Sequence, residues 1–357
     1  MQINKRELRE MLFCLIEGIK LWERDYTKVP DKLYKGHLLF MKHIAMVDSN
    51  IPNNLFALIK TLKKPSFEWG IPQLVDIFSP ESALIEPFNG ITTEAEEFIE
   101  SYQSLDETDQ SVMRKILVFC RELDLDNEYR FIRTFLSNKT NAVIDAFSLG
   151  KSLAENLESQ ELRQLVFECY EVLPEPVSNY RKCPHCGWTL QYRNGNWFCN
   201  KENVCHTIES FEQISMFSFN ETDKIYRLTS GIQRYILLPG LQEIRFSNLL
   251  DKKGYQVTTY PDIDLYDLRI NLAERIIDID MKDYKSTSIL ADYFNQLSVS
   301  QLEKYHSDSY IVIPSYRIKH SPAYIKIVNS RLEESVKRHI RILSENQVTE
   351  LLKEEVK

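Results

Sequence analysis

Apolar residues recur every three or four positions along the first half of the chain, as they do on the buried face of a helix. The first stripe consists of Leu8, Met11, Leu12, Leu15, Ile16, Ile19 and Trp22. The same spacing predicts helices over 31–47, 53–62, 93–102, 109–123, 128–136, 141–157 and 160–173. Pro174 and Pro176 then stop the last helix, because proline lacks the amide hydrogen that a helix uses. We expect an all-α region up to residue 176.

The pattern changes after residue 176. Short segments with Cys, Gly, Asn and Trp run to His206, and apolar runs of strand length then alternate with helical segments. These predict strands over 225–228, 234–238, 275–281, 310–313 and 339–343, an extended stretch over 255–270, and helices over 241–252, 288–297, 323–335 and from 345. Such alternation is typical of a mixed α/β domain. We therefore predict a multidomain chain: a helical domain at 1–176, a small ribbon at 177–222 and an α/β domain at 223–357.

Composition and charge narrow the class of protein only slightly. Among the 357 residues no apolar run approaches the roughly 20 needed to span a bilayer, and the charged start does not resemble a secretory signal. We expect a cytoplasmic protein without a membrane partner. The net charge of −8 is uneven, since 91–176 holds 18 acidic and 8 basic residues whereas 310–344 holds 7 Lys/Arg and 2 acids. DNA binding needs only one basic face, so net charge does not exclude it.

Four of the seven cysteines cluster in the predicted ribbon: Cys183, Cys186, Cys199 and Cys205. Four thiolates suit tetrahedral Zn²⁺, and Gly187 suits the tight turn after a Cys-x2-Cys knuckle. A closed four-ligand site leaves no position for a substrate, so we expect the zinc to be structural. His206 is an alternative to Cys205 as the fourth ligand.

An ordered set of acids and one lysine follows the ribbon. Glu243 lies on a predicted helix, Asp267 near the end of an extended stretch, and Asp280 and Lys282 two residues apart on the next strand, where they share a face. Two carboxylates can hold Mg²⁺ or Mn²⁺, which activates water and neutralises a phosphate, while a lysine offsets developing charge. We predict Asp267 and Asp280 as metal ligands, Lys282 as the catalytic lysine and Glu243 as an accessory acid. Asp264 is the alternative first acid.

At these residues the chain resembles a known superfamily. Gly-x-x-Glu at 240–243, a strand acid and Asp-x-Lys at 280–282 are similar to the motif of PD-(D/E)xK, or restriction-endonuclease-like, nucleases. Segments 226–243, 260–268, 280–284, 288–293 and 310–316, with the preceding ribbon, resemble the zinc-ribbon restriction endonucleases that accompany PIWI-type proteins and a helicase in bacterial defence islands. The resemblance covers about 182–343. At Asp280 the chain departs from the usual motif, which often has Glu at this position. The proline–acid pair of the motif corresponds to Pro261-Asp262, earlier in the chain than Asp267.

The resemblance implies a Mg²⁺-dependent DNA endonuclease that acts against phage or plasmid DNA. It implies a restriction-endonuclease-like α/β domain with a mixed sheet, and a PIWI-type protein and a helicase as partners. Basic residues that follow the core strands are candidates for phosphate contacts: Arg317, Lys319, His320, Lys326, Arg331, Lys337, Arg338 and Arg341, with Arg181, Lys182 and Arg193 on the ribbon.

Two other functions fit parts of the sequence. One is a catalytically inactive adaptor, in which the ribbon and the acidic helices bind nucleic acid or a partner protein of a defence complex. The other is a zinc-ribbon transcription regulator, which would leave the acids unexplained. Asp280 and Lys282 separate these from the nuclease, because an adaptor has no need of both on one strand face.

Overall fold

The computed structural model describes residues 5–45, 52–86, 90–103, 111–173, 176–193, 196–199, 202–212, 214–220, 223–273 and 275–355. They fall into two compact units. The first takes its residues from 1–106, 284–304 and 321–339, and the second from 107–283, 305–320 and 340–357. Both units therefore include parts of the predicted α/β domain. No helix within the described ranges is long and apolar enough to cross a lipid bilayer.

The first unit is helical. Its core contains the stripe predicted from the sequence, with Leu8, Leu12 and Leu15 fully buried. The carboxylate of Glu97 accepts the backbone N–H groups of Lys285 and Ser286 at 2.8 and 3.1 Å, which fixes the start of a helix from the C-terminal half. The α-helices are Lys5–Arg24, Asp31–Ile44, Leu55–Leu62, Thr93–Gln103, Thr287–Asn295, Val299–Leu302, Tyr324–Arg331 and Glu334–Lys337, and short 3-10 helices span Ser66–Trp69 and Pro72–Asp76.

The second unit combines helices with all the strands of the described chain. Its helices are Ser111–Glu122, Asp126–Leu136, Ala146–Asn156, Gln160–Glu168, Val177–Asn179 (3-10), Glu202–Ile208, Ser230–Ile232, Gln233–Leu237 (π), Leu238–Asp251, Ser315–His320 and Glu345–Glu355. Its strands are β1 (Val143–Asp145), β2 (Tyr170–Val172), β3 (Arg181–Lys182), β4 (Thr189–Arg193), β5 (Asn196–Phe198), β6 (Ile225–Leu228), β7 (Gln256–Thr259), β8 (Leu268–Asn271), β9 (Ile276–Met281), β10 (Ser309–Ile313) and β11 (Ile342–Ser344).

A five-stranded mixed sheet positions the candidate site. Its order is β11-β10-β9-β8-β7. The pairs β7–β8 and β8–β9 are antiparallel, and the pairs β9–β10 and β10–β11 are parallel. Leu268, Ile277 and Ile279 on one face pack against Phe246 and Leu250 of the helix Leu238–Asp251, here called the Glu243 helix. This confirms the mixed sheet predicted for the C-terminal part.

One predicted element is wrong, and two predicted helices are too long. The stretch 234–238 is not a strand but a π-helix, Gln233–Leu237, that continues into the Glu243 helix. The helices predicted over 141–157 and 160–173 are shorter, because β1 precedes the first and β2 follows the second. Both short strands pair with β6 in a three-stranded antiparallel sheet. Their partner lies far along the chain, so local spacing does not show them.

Candidate functional site

The two strand acids lie opposite each other across β8 and β9. Leu268 pairs with Ile279, so the next pair in this register is Asp267 with Asp280. The Asp267 N–H donates to the Ile279 carbonyl at 3.0 Å, which continues the pairing. Directly opposite residues of antiparallel strands share a face, and Leu268 and Ile279 occupy the apolar face. Asp267 and Asp280 therefore lie together on the other face.

Lys282 contacts Asp280, as the two-residue period of a strand requires. Its Nζ donates to Asp280 Oδ1 at 2.7 Å. The other carboxylate oxygen, Oδ2, accepts from the Tyr305 hydroxyl at 2.6 Å, and both Asp280 and Tyr305 are buried. Tyr305 could not be found from sequence reasoning, because it lies outside any motif and meets Asp280 only in the folded chain.

The Asp267 carboxyl is buried among other acids. Its Oδ2 accepts the Met281 N–H at 2.6 Å. Burial, and next the charges of Glu243 and Asp280, raise the pKa of Asp267 well above its usual range, while Lys282 opposes the rise. A cation held between the acids would oppose this rise, because it would supply the compensating charge.

Glu243 is paired with an arginine that the sequence did not indicate. Arg133, on the helix Asp126–Leu136 (the Arg133 helix), places Nη2 3.1 Å from Glu243 Oε2, and the two side chains are 6% and 4% exposed. Burial raises the pKa of Glu243, although Arg133 acts in the opposite direction. The guanidinium also lies 4.5 Å from the centre of the Tyr260 ring. The only available signal was an arginine within an otherwise apolar helix face.

The turn between β7 and β8 has an unusual backbone. Tyr260, Asp262, Ile263 and Asp264 have φ of 50°, 53°, 53° and 63°, a region that L-residues avoid and β-branched residues avoid most. Each such residue costs about 1–3 kcal/mol unless its surroundings hold it. We call residues 260–264 the left-handed turn.

Two helices of the second unit hold the left-handed turn. Arg121 donates to the Ile263 carbonyl at 3.3 and 3.1 Å, and Asp126 Oδ1 accepts the Ile263 N–H at 2.9 Å. The Tyr129 hydroxyl donates to Asp264 Oδ2 at 2.7 Å, and Arg133 Nε lies 3.7 Å from Asp264 Oδ1. Asp264, the alternative first acid, is thus engaged by the helices.

Gly240, the first residue of Gly-x-x-Glu, has a packing reason. A Cβ at this position would collide with the Oγ and Cβ of Ser137, which caps the end of the Arg133 helix. Glycine lets the Glu243 helix approach the Arg133 helix closely enough for Glu243 and Arg133 to pair.

The strand acids fit a hard divalent cation. Mg²⁺ is usually bound through one or two carboxylates and keeps several waters, and Asp267 and Asp280 provide such a pair. Among the described side chains, Glu243, Asp267 and Asp280 do not bring their oxygens within 4.8 Å of one another. The three carboxylates therefore do not form one compact three-ligand group.

Residues 240–357 match the family model described as "REase associating with pPIWI_RE". The matched range includes Glu243, Asp267, Asp280 and Lys282. The C-terminal third of the chain is therefore a restriction-endonuclease-like domain linked to PIWI-type systems. No curated protein and no solved structure matches the chain. The match excludes the cysteine cluster and Arg133, which the fold nevertheless brings to this domain.

The cysteine cluster is compatible with a zinc site. Cys183, Cys186, Cys199 and Cys205 are buried, with sulfur atoms within 4.8 Å of one another. Cys199 Sγ lies 3.6 Å from those of Cys186 and Cys205, close to the ~3.8 Å between ligands of a tetrahedral site with Zn–S of about 2.3 Å. The alternative ligand, His206, is outside the cluster and stacks on Phe211 with ring centres 3.6 Å apart.

The cysteine cluster is connected to the Glu243 helix. Gln233, in the π-helix that leads into it, directs Nε2 to Cys186 and Cys199 Sγ at 3.6 and 3.7 Å. Such N–H···S contacts orient ligands and tune a metal site from outside. A Cβ at Gly187, whose φ is +75°, would collide with the Lys139 carbonyl. The cluster therefore packs against both helices that flank the acids.

Several of the predicted basic residues are engaged within the protein. Arg317 is buried and pairs with Asp283 at 2.7 Å, so it is not available to DNA. Lys337 pairs with Glu334, and Arg341 donates to the Ser307 carbonyl. The set is also divided between the two compact units.

Proposed function

We propose that this protein is a metal-dependent endonuclease that hydrolyses phosphodiester bonds of DNA. The observation that carries the proposal is the contact of Lys282 with Asp280 on one strand face, with Asp267 opposite, inside a restriction-endonuclease-like domain. An acid pair next to a lysine has no packing role that apolar residues would not serve better, since burying charge is costly.

The side chains of the site have separate roles in this proposal. Asp267 and Asp280 would hold Mg²⁺ or Mn²⁺, which when bound lowers the pKa of a coordinated water and neutralises charge on the scissile phosphate. Lys282 Nζ places a positive charge where negative charge develops. Tyr305 holds the second oxygen of Asp280 and so fixes the carboxylate plane. Glu243 is an accessory acid held by Arg133.

The family description supports the biological setting. It links endonucleases of this kind to PIWI-type proteins, so we propose a PIWI-type protein as a partner, a helicase as a further partner, and a role against phage or plasmid DNA. The four cysteines would hold a structural Zn²⁺, because all four are buried and the set offers no open position.

Cleavage of supercoiled plasmid DNA with Mg²⁺ or Mn²⁺ tests the site. We expect nicking or linearisation by the wild type and a loss of at least about 100-fold for Asp267→Asn, Asp280→Asn and Lys282→Met, with cooperative melting that shows each variant still folds. Asp264→Asn, which tests the alternative first acid, should retain activity. Lys285→Met is the control lysine close in sequence. Wild-type rates for Lys282→Met would overturn the proposed site.

An inactive adaptor is the second candidate. Both oxygens of Asp280 are already engaged by Lys282 and Tyr305, and Glu243 by Arg133, an arrangement that also suits a site without metal. The adaptor would bind DNA or a PIWI-type partner without dependence on Asp280. It would cut no DNA with Mg²⁺ or Mn²⁺ even when that partner is added.

A further inference from the structure

A groove of about 860 Å³ lies beside the Glu243 helix, within the second unit. One wall is the end of the Arg133 helix with the turn after it, residues 134–139. The second wall belongs to the cysteine ribbon, with His185, Ile208 and Glu209. The third is the side of the Glu243 helix, from Leu241 to Lys253, that faces away from Glu243.

The charge of the lining is strongly positive. It contains Lys139, Arg245, Lys252 and Lys253 but Glu209 as its single acid. Arg245 is held by Glu345 and Gln242, and Lys139 donates to the Pro184 carbonyl at 3.3 Å. Lys252 and Lys253 are exposed, and neither forms an ion pair with any side chain in the described ranges. Two free lysines at the rim are available for an anionic ligand.

His185 supplies an independent observation. The residue lines the groove and is only 8% exposed, yet its Nε2 is buried and has no hydrogen-bond partner among the described residues. Its other nitrogen, Nδ1, lies 3.7 Å from Glu209. A buried polar nitrogen without a partner is costly, and a ligand oxygen in the groove would satisfy it. In the tautomer that carries the proton on Nε2, a neutral imidazole can donate to a phosphate oxygen.

We propose that this groove binds the sugar–phosphate backbone of a nucleic acid strand. Lys252 and Lys253 contact phosphates, and His185 donates from Nε2 to a further phosphate oxygen. A backbone fits better than an acidic peptide because nucleic acid contacts are made mostly to phosphates by lysine, arginine and amide side chains, and the walls add Asn138 and Asn248. The inference deepens the proposed function, since it gives the nuclease a binding surface outside the acids.

The groove and the candidate acids share one rigid element. The Glu243 helix carries Leu241, Arg245 and Asn248 in the groove lining, whereas Glu243 is buried and is not part of that lining. A strand held in the groove is therefore fixed relative to the restriction-endonuclease-like domain by a single helix. The cysteine ribbon, which gave no direct functional signal, acquires a role as one wall of the binding surface.

Fluorescence anisotropy with the full chain and a labelled 30-nucleotide strand or its duplex tests the groove, with Ca²⁺ in place of Mg²⁺. We expect Lys252→Glu/Lys253→Glu to weaken binding at least about 10-fold at 100 mM KCl and to lower the slope of log K against log salt by about 1.8, since two phosphate contacts are lost. Lys28→Glu/Lys60→Glu, at exposed positions of the first unit, changes net charge equally and should bind as the wild type. His185→Phe should weaken binding with unchanged zinc content.

Several results would overturn the groove. They are equal binding by the groove variant and the wild type, equal losses in the groove and control variants, or displacement of DNA by a poly-glutamate chain of matched charge at the same concentration as by unlabelled DNA. The nuclease proposal is tested separately from the groove. Groove-dependent binding without cleavage in Mg²⁺ or Mn²⁺ would remove the nuclease and keep the groove. Cleavage by the groove variant with an unchanged KM would refute the groove and leave the nuclease proposal standing.

Discussion

The ion pair between Arg133 and Glu243 offers a quantitative test of how the helices support the acids. Arg133→Met keeps most of the side-chain volume and removes the charge 3.1 Å from Glu243 Oε2. Removing one partner of a buried pair typically costs about 3–5 kcal/mol. The carboxyl of Glu243 can instead take up a proton. Protonation costs about 1.4 kcal/mol for each unit by which the pH exceeds an ordinary carboxyl pKa of about 4.3, which is roughly 3.7 kcal/mol at pH 7. Protonation thus limits the loss.

This limit makes the destabilisation depend on pH in a defined direction. In Arg133→Met the folded-state pKa of Glu243 is raised further above its unfolded value, since burial already raises it and Arg133 no longer opposes the rise. A carboxyl with a raised folded pKa contributes stability below its unfolded pKa and loses it as pH rises toward the folded pKa. The deficit of the variant should therefore be small at acid pH and grow by about 1.4 kcal/mol per unit once pH exceeds the folded-state pKa of Glu243 in the wild type, which burial already raises.

Thermal unfolding of the full chain by circular dichroism measures the effect. For a unit of roughly 200 residues, 1 kcal/mol moves Tm by about 2–4 °C, so Arg133→Met should lower Tm at pH 7 by at most about 7–15 °C, the bound that an unshifted wild-type pKa would give. Arg133→Met/Glu243→Leu should recover most of the loss, because the buried carboxyl of Glu243 is then gone and only the partly exposed Asp264 loses a cation 3.7 Å away. Arg130→Met removes a more exposed pair with Asp126 on the same helix and should cost about 1 kcal/mol or less. A Tm deficit independent of pH, or no recovery in the double variant, would refute this reasoning.

Two further predictions concern metals. The raised pKa of Asp267 means that metal-free protein loses stability as pH rises above about 4. We therefore expect 10 mM Mg²⁺ to raise Tm more at pH 8.5 than at pH 6. In Asp267→Asn the Mg²⁺-induced shift of Tm should be the same at both pH values. Cys183→Ser should abolish stoichiometric zinc in elemental analysis and lower Tm, because the cluster belongs to the core of the second unit; Gln233→Leu should keep zinc but bind it about 10–100-fold more weakly in a chelator competition. Unchanged zinc in Cys183→Ser would contradict the site.

The sequence predicted elements wherever the pattern is local. The stripe from Leu8 to Trp22 is a helix, the apolar run ending at Met281 is a central strand, and the cysteine spacing marks a real cluster. The run 234–238 misled because Pro239 and Gly240 follow it and suggest a break. Pro239 lies at the start of the Glu243 helix, where the loss of one N–H is absorbed by the wider π-turn before it.

The parts of the site that the sequence missed depend on distant segments. Arg133, Tyr129 and Tyr305 belong to no motif, and each meets its partner more than 20 positions away. The positive φ of Ile263 is equally invisible, because a β-branched residue gives no signal for a left-handed turn. Its conformation is imposed by Arg121 and Asp126.

These contacts bear on where the restriction-endonuclease-like domain begins. The family match starts at Gly240, yet that glycine is required by Ser137, and Gly187 is required by the Lys139 carbonyl. The strained turn that leads to Asp267 is held by hydrogen bonds from Arg121 and to Asp126, and the charge of Arg133 balances that of Glu243. Without residues 111–139 the acids would keep their strands but lose the groups that fix their charge and orientation. The energetic boundary of the restriction-endonuclease-like domain therefore lies about 130 residues before the boundary of its sequence match.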